Sequence, residues 1–268
     1  MRDRGFDYDI LKHTAHRPWP MPNGPWVMTQ TWCDLLFAHW PVSASALRAR
    51  IPPEFTLDLF DGSAWLGIVA FHMTNVAPRG VPALPWVSEF PELNVRTYVR
   101  VADEPGIFFF SLDAGSALAV HAARTMLNLP YFTASMSATK EDGVVHYESR
   151  RDAFRGEAEF HATYAPTGSS SIATPGSLEY FLTERYCLYN LNHHDEPYRL
   201  DIHHLPWPLR PATAEFSVNS MAAAHGIGLP DEPPRLHFVD RQDMVAWMPL
   251  SLVRRMDFAL QPSMEGEG

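Results

Sequence analysis

Residues 92–101 read ELNVRTYVRV, and the reading of this stretch decides the fold. Strand side chains repeat every two residues, so Val95, Thr97, Val99 and Val101 share one face while Glu92, Asn94, Arg96, Tyr98 and Arg100 share the other. Glu104-Pro105-Gly106 supplies a turn, and IFFFSL (107–112) returns as a strand buried on both faces. The polar row has two readings. On an open sheet it is a solvated face. In a closed barrel the same row, with roughly 7 Å between successive members, lines a lumen. There a carboxylate beside an arginine pairs an acid/base group with an anion holder.

The flanking sequence favours closure. TLDLFDGSAWLGIVAF (56–71) carries Asp61-Gly62 between apolar runs, a hairpin signal. YFTASMSAT (131–139) alternates, Glu141-Asp142-Gly143 turns the chain, VVHYESRR (144–151) returns, and EAEFHATY (157–164) alternates again. Ser116 caps a helix through ALAVHAARTML, which Pro130 prevents from continuing. GSSSIATPGS (168–177) is a polar loop, and SLEYFLTERYCLY (177–189) predicts a second amphipathic helix capped by Ser177. YRLDIHHLPWPLRP predicts a strand ending in prolines, EFSVNSMAAAHGIG a short strand and a turn of helix, and RLHFVDRQDMVAWMPL one or two closing strands. Short strands joined by tight turns, with two or three inserted helices, predict a mainly antiparallel β or α+β domain, a closed or nearly closed barrel. Residues 1–25, containing HRPWPMPNGPW, predict an extended arm. Residues 26–260 predict one domain, without repeat or linker, and residues 261–268 a disordered tail.

Composition excludes several functions. The net charge of −10 and a pI near 5.7 give no basic face for nucleic acid or anionic membrane. No apolar run approaches the ~18 residues of a membrane span, and the N-terminus lacks a secretory core and cleavage site. Cys33 and Cys187 match no metal or disulfide pattern and read as reduced thiols of a cytoplasmic protein. The histidine pairs His13/His16, His193-His194, His203-His204 and His225/His237 have no zinc-site spacing, so no metal is expected. G-x-S-x-G, G-x-G-x-x-G and P-loop patterns do not occur. Only Lys12 and Lys140 are available for imine chemistry; one lies in a polar leader and the other at a hairpin turn, and neither place desolvates an amine.

Several stretches carry a resemblance: HRPW (16–19), DLLFAHWPV (34–42), FPELNVRTYV (90–99), ARTMLNLPYF (123–132), LTERYCLY (182–189) and HHLPWPL (203–209). Together they resemble the YqjF-like bacterial family, a domain of unknown function in the acetoacetate-decarboxylase-like superfamily. The resemblance implies a cone-shaped antiparallel barrel with a pocket near the helix-to-strand corner at Pro130. ALRARIPPEF (46–55) is similar to the decarboxylase segment after its first strand. Glu92 falls where the decarboxylases have a pocket glutamate, Arg124 matches an arginine, and Pro130 matches the proline before a Lys-Lys pair. Those lysines fall on Tyr131 and Phe132. The decarboxylase's N-terminal pocket arginine has no clear match; that region aligns roughly with Gln30 to Cys33. A phenol and a phenyl ring cannot form an imine, and Lys140 lies ~30 Å along the strand from Tyr131. The resemblance therefore implies the barrel without the imine mechanism.

Glu92 and Tyr131 are the expected catalytic pair, with Arg96, Arg124, His72, His204 and Trp207 expected to bind substrate, and no cofactor. The implied function is acid/base chemistry on a small carboxylate or keto compound. The alternative is a non-catalytic sensor or carrier of small aromatic or apolar molecules. A third reading makes Glu92 and Arg124 a structural ion pair within a packed interior. A small-molecule partner is expected, and self-association is left open.

Overall fold

The structure is a computed structural model that describes residues 5–83, 88–151 and 156–253. The stretch that opened the sequence reading lies in β4 (Phe90–Val101), which pairs antiparallel with β3 (Ala64–Pro78) and β5 (Glu104–Ala114). β1 (Met28–Val42) pairs with β3, and β12 (Arg235–Ala246) with the other edge of β1. These five strands, in the order β12-β1-β3-β4-β5, form one long wall.

The sheet forks at both ends of that wall. Leu112–Ala114 of β5 run parallel to β6 (Tyr131–Glu141), whereas Ile107 and Phe108 run parallel to β9 (Cys187–Leu191). On β12, Phe238 and His237 pair with β11 (Arg210–Asn219), whereas Met244, Val245 and Ala246 pair with β10 (Pro197–His204). β6, β7 (Val144–Arg151), β8 (Ala158–Pro166) and β11 close one ring against the wall; β9 and β10 close a second. Two short strands, β2 (Thr56–Leu57) and β13 (Leu250–Ser251), extend β4 and β10. The expected mainly antiparallel β fold is present, its closure achieved by two rings that share a wall. Three α-helices accompany it among the described residues: α1 (Ala44–Arg48), α2 (Ala117–Leu127) and α3 (Leu178–Thr183).

Because the wall is covered on both sides, each strand face meets an interior. Leu36, Ala38, Ile68, Ala70, Leu93 and Val95 join Tyr147 and Phe160 in one core. Leu35, Phe37, Val69 and Phe71 join Leu188, Leu200 and Ile202 in the other. Bulges switch faces within strands. Asp34 sits at φ 50° where the β1–β3 register shifts, and a second shift lies opposite Val95 and Arg96 on β5.

The local signals were met unevenly. Ser116 caps α2 by accepting from the Ala119 amide, and Asn128 ends it in the left-handed region at φ 52°. Asp142-Gly143, both at positive φ, make the two-residue turn between β6 and β7. Asp61-Gly62 also turns, but it closes only a Phe60–Ser63 bridge, and Thr56–Leu57 pair with β4 instead of β3. The helix expected over 177–189 stops at Thr183. Its second half becomes β9, because pairing with β5 and β10 outweighs helix propensity. The arm holds a 3-10 turn, Tyr8–Lys12, whose Ile10 packs with Val245 and Trp247. Residues 261–268 lie outside the described residues.

Candidate functional site

The ring closed by β9 and β10 is not filled by its side chains. It encloses a cavity of about 80 Å³, room for on the order of six water-sized positions. The wall strand β4 contributes its polar row, Glu92, Asn94 and Arg96. The rest of the lining is mostly apolar and includes Phe71 and Trp32 of the same wall together with Leu129, Leu188, Ile202 and Trp207. The two tryptophans stack 5.5 Å apart at 8°. The left-handed Asn128 turns the chain out of α2, so that Leu129 and Tyr131 both reach the cavity.

Glu92 is 3% exposed and accepts a 2.7 Å hydrogen bond from the Tyr131 hydroxyl. Burial pushes its carboxyl up from 4.5 to about 8; the Tyr131 bond opposes this, and the nearby Asp113 charge adds to it. The carboxyl is therefore mostly protonated at neutral pH. Burial and the adjoining Glu92 drive the Tyr131 phenol well above its ordinary value, so it stays a donor. The Tyr147 hydroxyl donates to the Glu92 backbone carbonyl at 2.7 Å and fixes the strand at this point.

Arg96 is 6% exposed, and among the described residues no carboxylate lies within ion-pair distance of it. Its Nη2 donates to the Leu182 carbonyl at 3.1 Å, its guanidinium lies 5.1 Å from the Phe37 ring centroid, and its Nε has no partner. Gly67 on β3 makes this placement feasible: a Cβ there would lie 2.9 Å from His39 Cδ2 and 3.2 Å from Arg96 Cγ. Tyr98 leaves the lumen row for a neighbouring cluster with Trp65 and Leu182, where its hydroxyl bonds the His39 ring at 2.7 Å and the Leu182 carbonyl at 2.8 Å. The second cavity arginine, Arg185, is paired with Asp58 at 2.7 Å.

The structure brings together five of the seven residues singled out from sequence: Glu92, Tyr131, Arg96, His204 and Trp207 all line the cavity. Burial lowers the His204 imidazole to about 4. The ring lies between the Leu205 and Arg185 carbonyls and, being neutral, can donate to only one of them. The Trp207 backbone amide donates to Glu184, while its indole nitrogen is buried without a partner.

Arg124 is not part of the cavity. It is exposed, donates from Nε to the Tyr131 carbonyl at 2.6 Å, and braces the corner from outside. His72 also stands outside, on the face of β3 opposite Phe71. The proposed Glu92–Arg124 ion pair gives way to the Glu92–Tyr131 hydrogen bond. The buried ion pair of this region is instead Asp113–Arg151, at 2.5 Å. Lys140 lies far along β6, paired with Asp34 at 2.6 Å. Sequence reasoning placed Asn94 in the right row without choosing it. It missed Arg185, because residues 184–189 were read as helix.

The "Uncharacterized protein YqjF" of Bacillus subtilis (strain 168) is 48% identical over 227 residues, covering 85% of this chain and 93% of that protein. The crystal structure of acetoacetate decarboxylase from Legionella pneumophila subsp. pneumophila str. Philadelphia 1 shares the fold with TM-score 0.58 at 13% identity, over 90% of this chain and 94% of that one. The enduracididine biosynthesis enzyme MppR, complexed with pyruvate, does so with TM-score 0.58 at 11% identity, over 88% and 93%. Residues 29–243 match DUF2071, described as an uncharacterized conserved protein, and with the 48% identity to YqjF this match shows that the chain belongs to the DUF2071 family and has an acetoacetate-decarboxylase-like fold.

Proposed function

We propose that the chain is a small-molecule-binding barrel that performs acid/base chemistry on a compact carbonyl- or carboxylate-bearing compound without an imine. One observation carries the reading: Glu92 is buried, faces a cavity, is held near pH 8 and receives the Tyr131 hydroxyl. A group that titrates near working pH serves as either acid or base. Protonated Glu92 donates a hydrogen bond to a bound carbonyl oxygen; its ionised fraction removes a proton from the adjacent carbon. Tyr131 orients the carboxyl in both states. Neither Lys12 nor Lys140 borders the cavity, which supports chemistry without an imine. The pyruvate held by one fold relative is a compound of the proposed class.

Deuterium exchange tests this reading. A panel of small ketones and keto acids is incubated in D₂O with the protein, and wash-in at the carbon next to the carbonyl is followed by NMR. Protein-dependent wash-in that is lost in Glu92→Gln is expected. Binding without any wash-in refutes the enzyme reading. It leaves the second one, a non-catalytic carrier or sensor, which the Trp32, Trp207 and Phe71 wall favours.

A further inference from the structure

The cavity's charge and its wall describe what fits it. Arg96 presents a buried positive charge that no carboxylate in the described protein compensates. An unpaired buried ion is costly, so an incoming anion is strongly favoured beside it. The charge is single. Arg185 is paired with Asp58, whose other oxygen meets the more exposed Arg100, and Glu92 already shares its oxygen with Tyr131. Asn94 is 4% exposed, its Oδ1 has no partner, and it stands between Glu92 and Arg96 in the lining row. Phe71, Leu129, Leu188, Ile202 and Trp207 offer no counter-charge and favour hydrocarbon.

We infer that the cavity selects a short-chain aliphatic monocarboxylate, its carboxylate against Arg96 and its straight or branched tail against the apolar wall. This rests on the reading of the cavity as a small-molecule site and adds the head group, the tail and the orientation. A dicarboxylate or a phosphate brings a second charge with no cation to meet it. An amine meets Arg96 with like charge. With space for on the order of six heavy atoms, the best fit lies near butanoate or 3-methylbutanoate.

Calorimetric titration of the full chain tests this with acetate, propanoate, butanoate, 3-methylbutanoate and hexanoate, beside succinate, inorganic phosphate, butylamine and 1-butanol. Affinity is expected to rise about fourfold per methylene up to the best fit and then stop rising. Arg96→Gln is expected to weaken butanoate on the order of 30-fold or more. In case that variant does not fold, Asn94→Asp gives Arg96 an internal carboxylate with nearly unchanged shape and is expected to abolish acid binding. Tighter binding of succinate or phosphate than of butanoate overturns the inference. So does an unchanged affinity in a folded Asn94→Asp. If 1-butanol binds as well as butanoate, the inference fails while the cavity reading stands. If nothing in the series binds, both fail.

Discussion

Replacing Glu92 by glutamine separates the pH dependence of one buried carboxyl from that of the whole protein. In the unfolded chain a glutamate titrates near 4.5; in the folded protein Glu92 does so near 8. Between these values folding takes up a proton, so each rise in pH penalises the folded state. The stability from Glu92 is thus fully present below about pH 4.5 and is lost as pH rises towards 8. The slope is about 1.4 kcal/mol per pH unit, hence about 2.7 kcal/mol between pH 5.5 and 7.5. At roughly 2–4 °C per kcal/mol for a chain of this size, that amounts to about 5–11 °C in Tm. Glutamine does not titrate, and its amide oxygen still accepts from Tyr131. Asp113 and Glu184, also raised by burial, titrate in both proteins and largely cancel in the comparison. Calorimetric scans at half-unit pH steps are therefore expected to show Glu92→Gln gaining on the wild type by that amount over the two units. The gain should level off above about pH 8. A Tm gap independent of pH, or one that widens towards acid, refutes the argument that burial holds this carboxyl neutral.

Three further outcomes follow from the packing. Asp113→Asn leaves the Arg151 guanidinium buried and unpaired, and is expected to cost about 3–5 kcal/mol in urea unfolding. Gly67→Ala drives a methyl group into His39 and Arg96, and is expected to cost about 1–3 kcal/mol by the same measurement while weakening any ligand held by Arg96. Borohydride treatment with acetoacetate is expected to leave no adduct, because Lys140 is committed to Asp34 on the far part of β6. A stable adduct on Lys140, seen by peptide mass, contradicts the exclusion of imine chemistry.

The alternation of residues 92–101 was legible, and it placed Glu92, Asn94 and Arg96 on one face correctly. It could not show that both faces are interiors, because that depends on strands that arrive far later in the chain, β6–β8 on one side and β9–β10 on the other. β1 escaped notice for a related reason. Its residues are buried on both faces, and the bulge at Asp34 shifts the lining from Trp32 to Leu35 and Phe37, so no single period runs through it. The resemblance that singled out Arg124 matches residue type and position, which does not tell on which side of the corner the side chain lies. In the fold its Nε donates to the Tyr131 carbonyl and its guanidinium lies 5.7 Å from the Phe132 ring centroid, on the outside of the corner.

The doublet Tyr131-Phe132 shows how much chemistry one position can set. Successive strand residues point to opposite faces. Tyr131 therefore enters the cavity and donates to Glu92, while Phe132 turns away and lies 4.0 Å from the Arg151 guanidinium, over the buried Asp113 pair. The two residues serve different interiors, so only the first bears on the site. An ammonium group at position 131 would favour the charged form of Glu92. A phenol satisfies one carboxyl oxygen without bringing charge, and it leaves burial to decide the proton's place. The neutral Glu92 in turn leaves Arg96 as the uncompensated charge of the cavity. A phenol at position 131 thus does more than withhold a nucleophile: it brings no charge to offset that of Arg96, in keeping with the single anion proposed for the cavity.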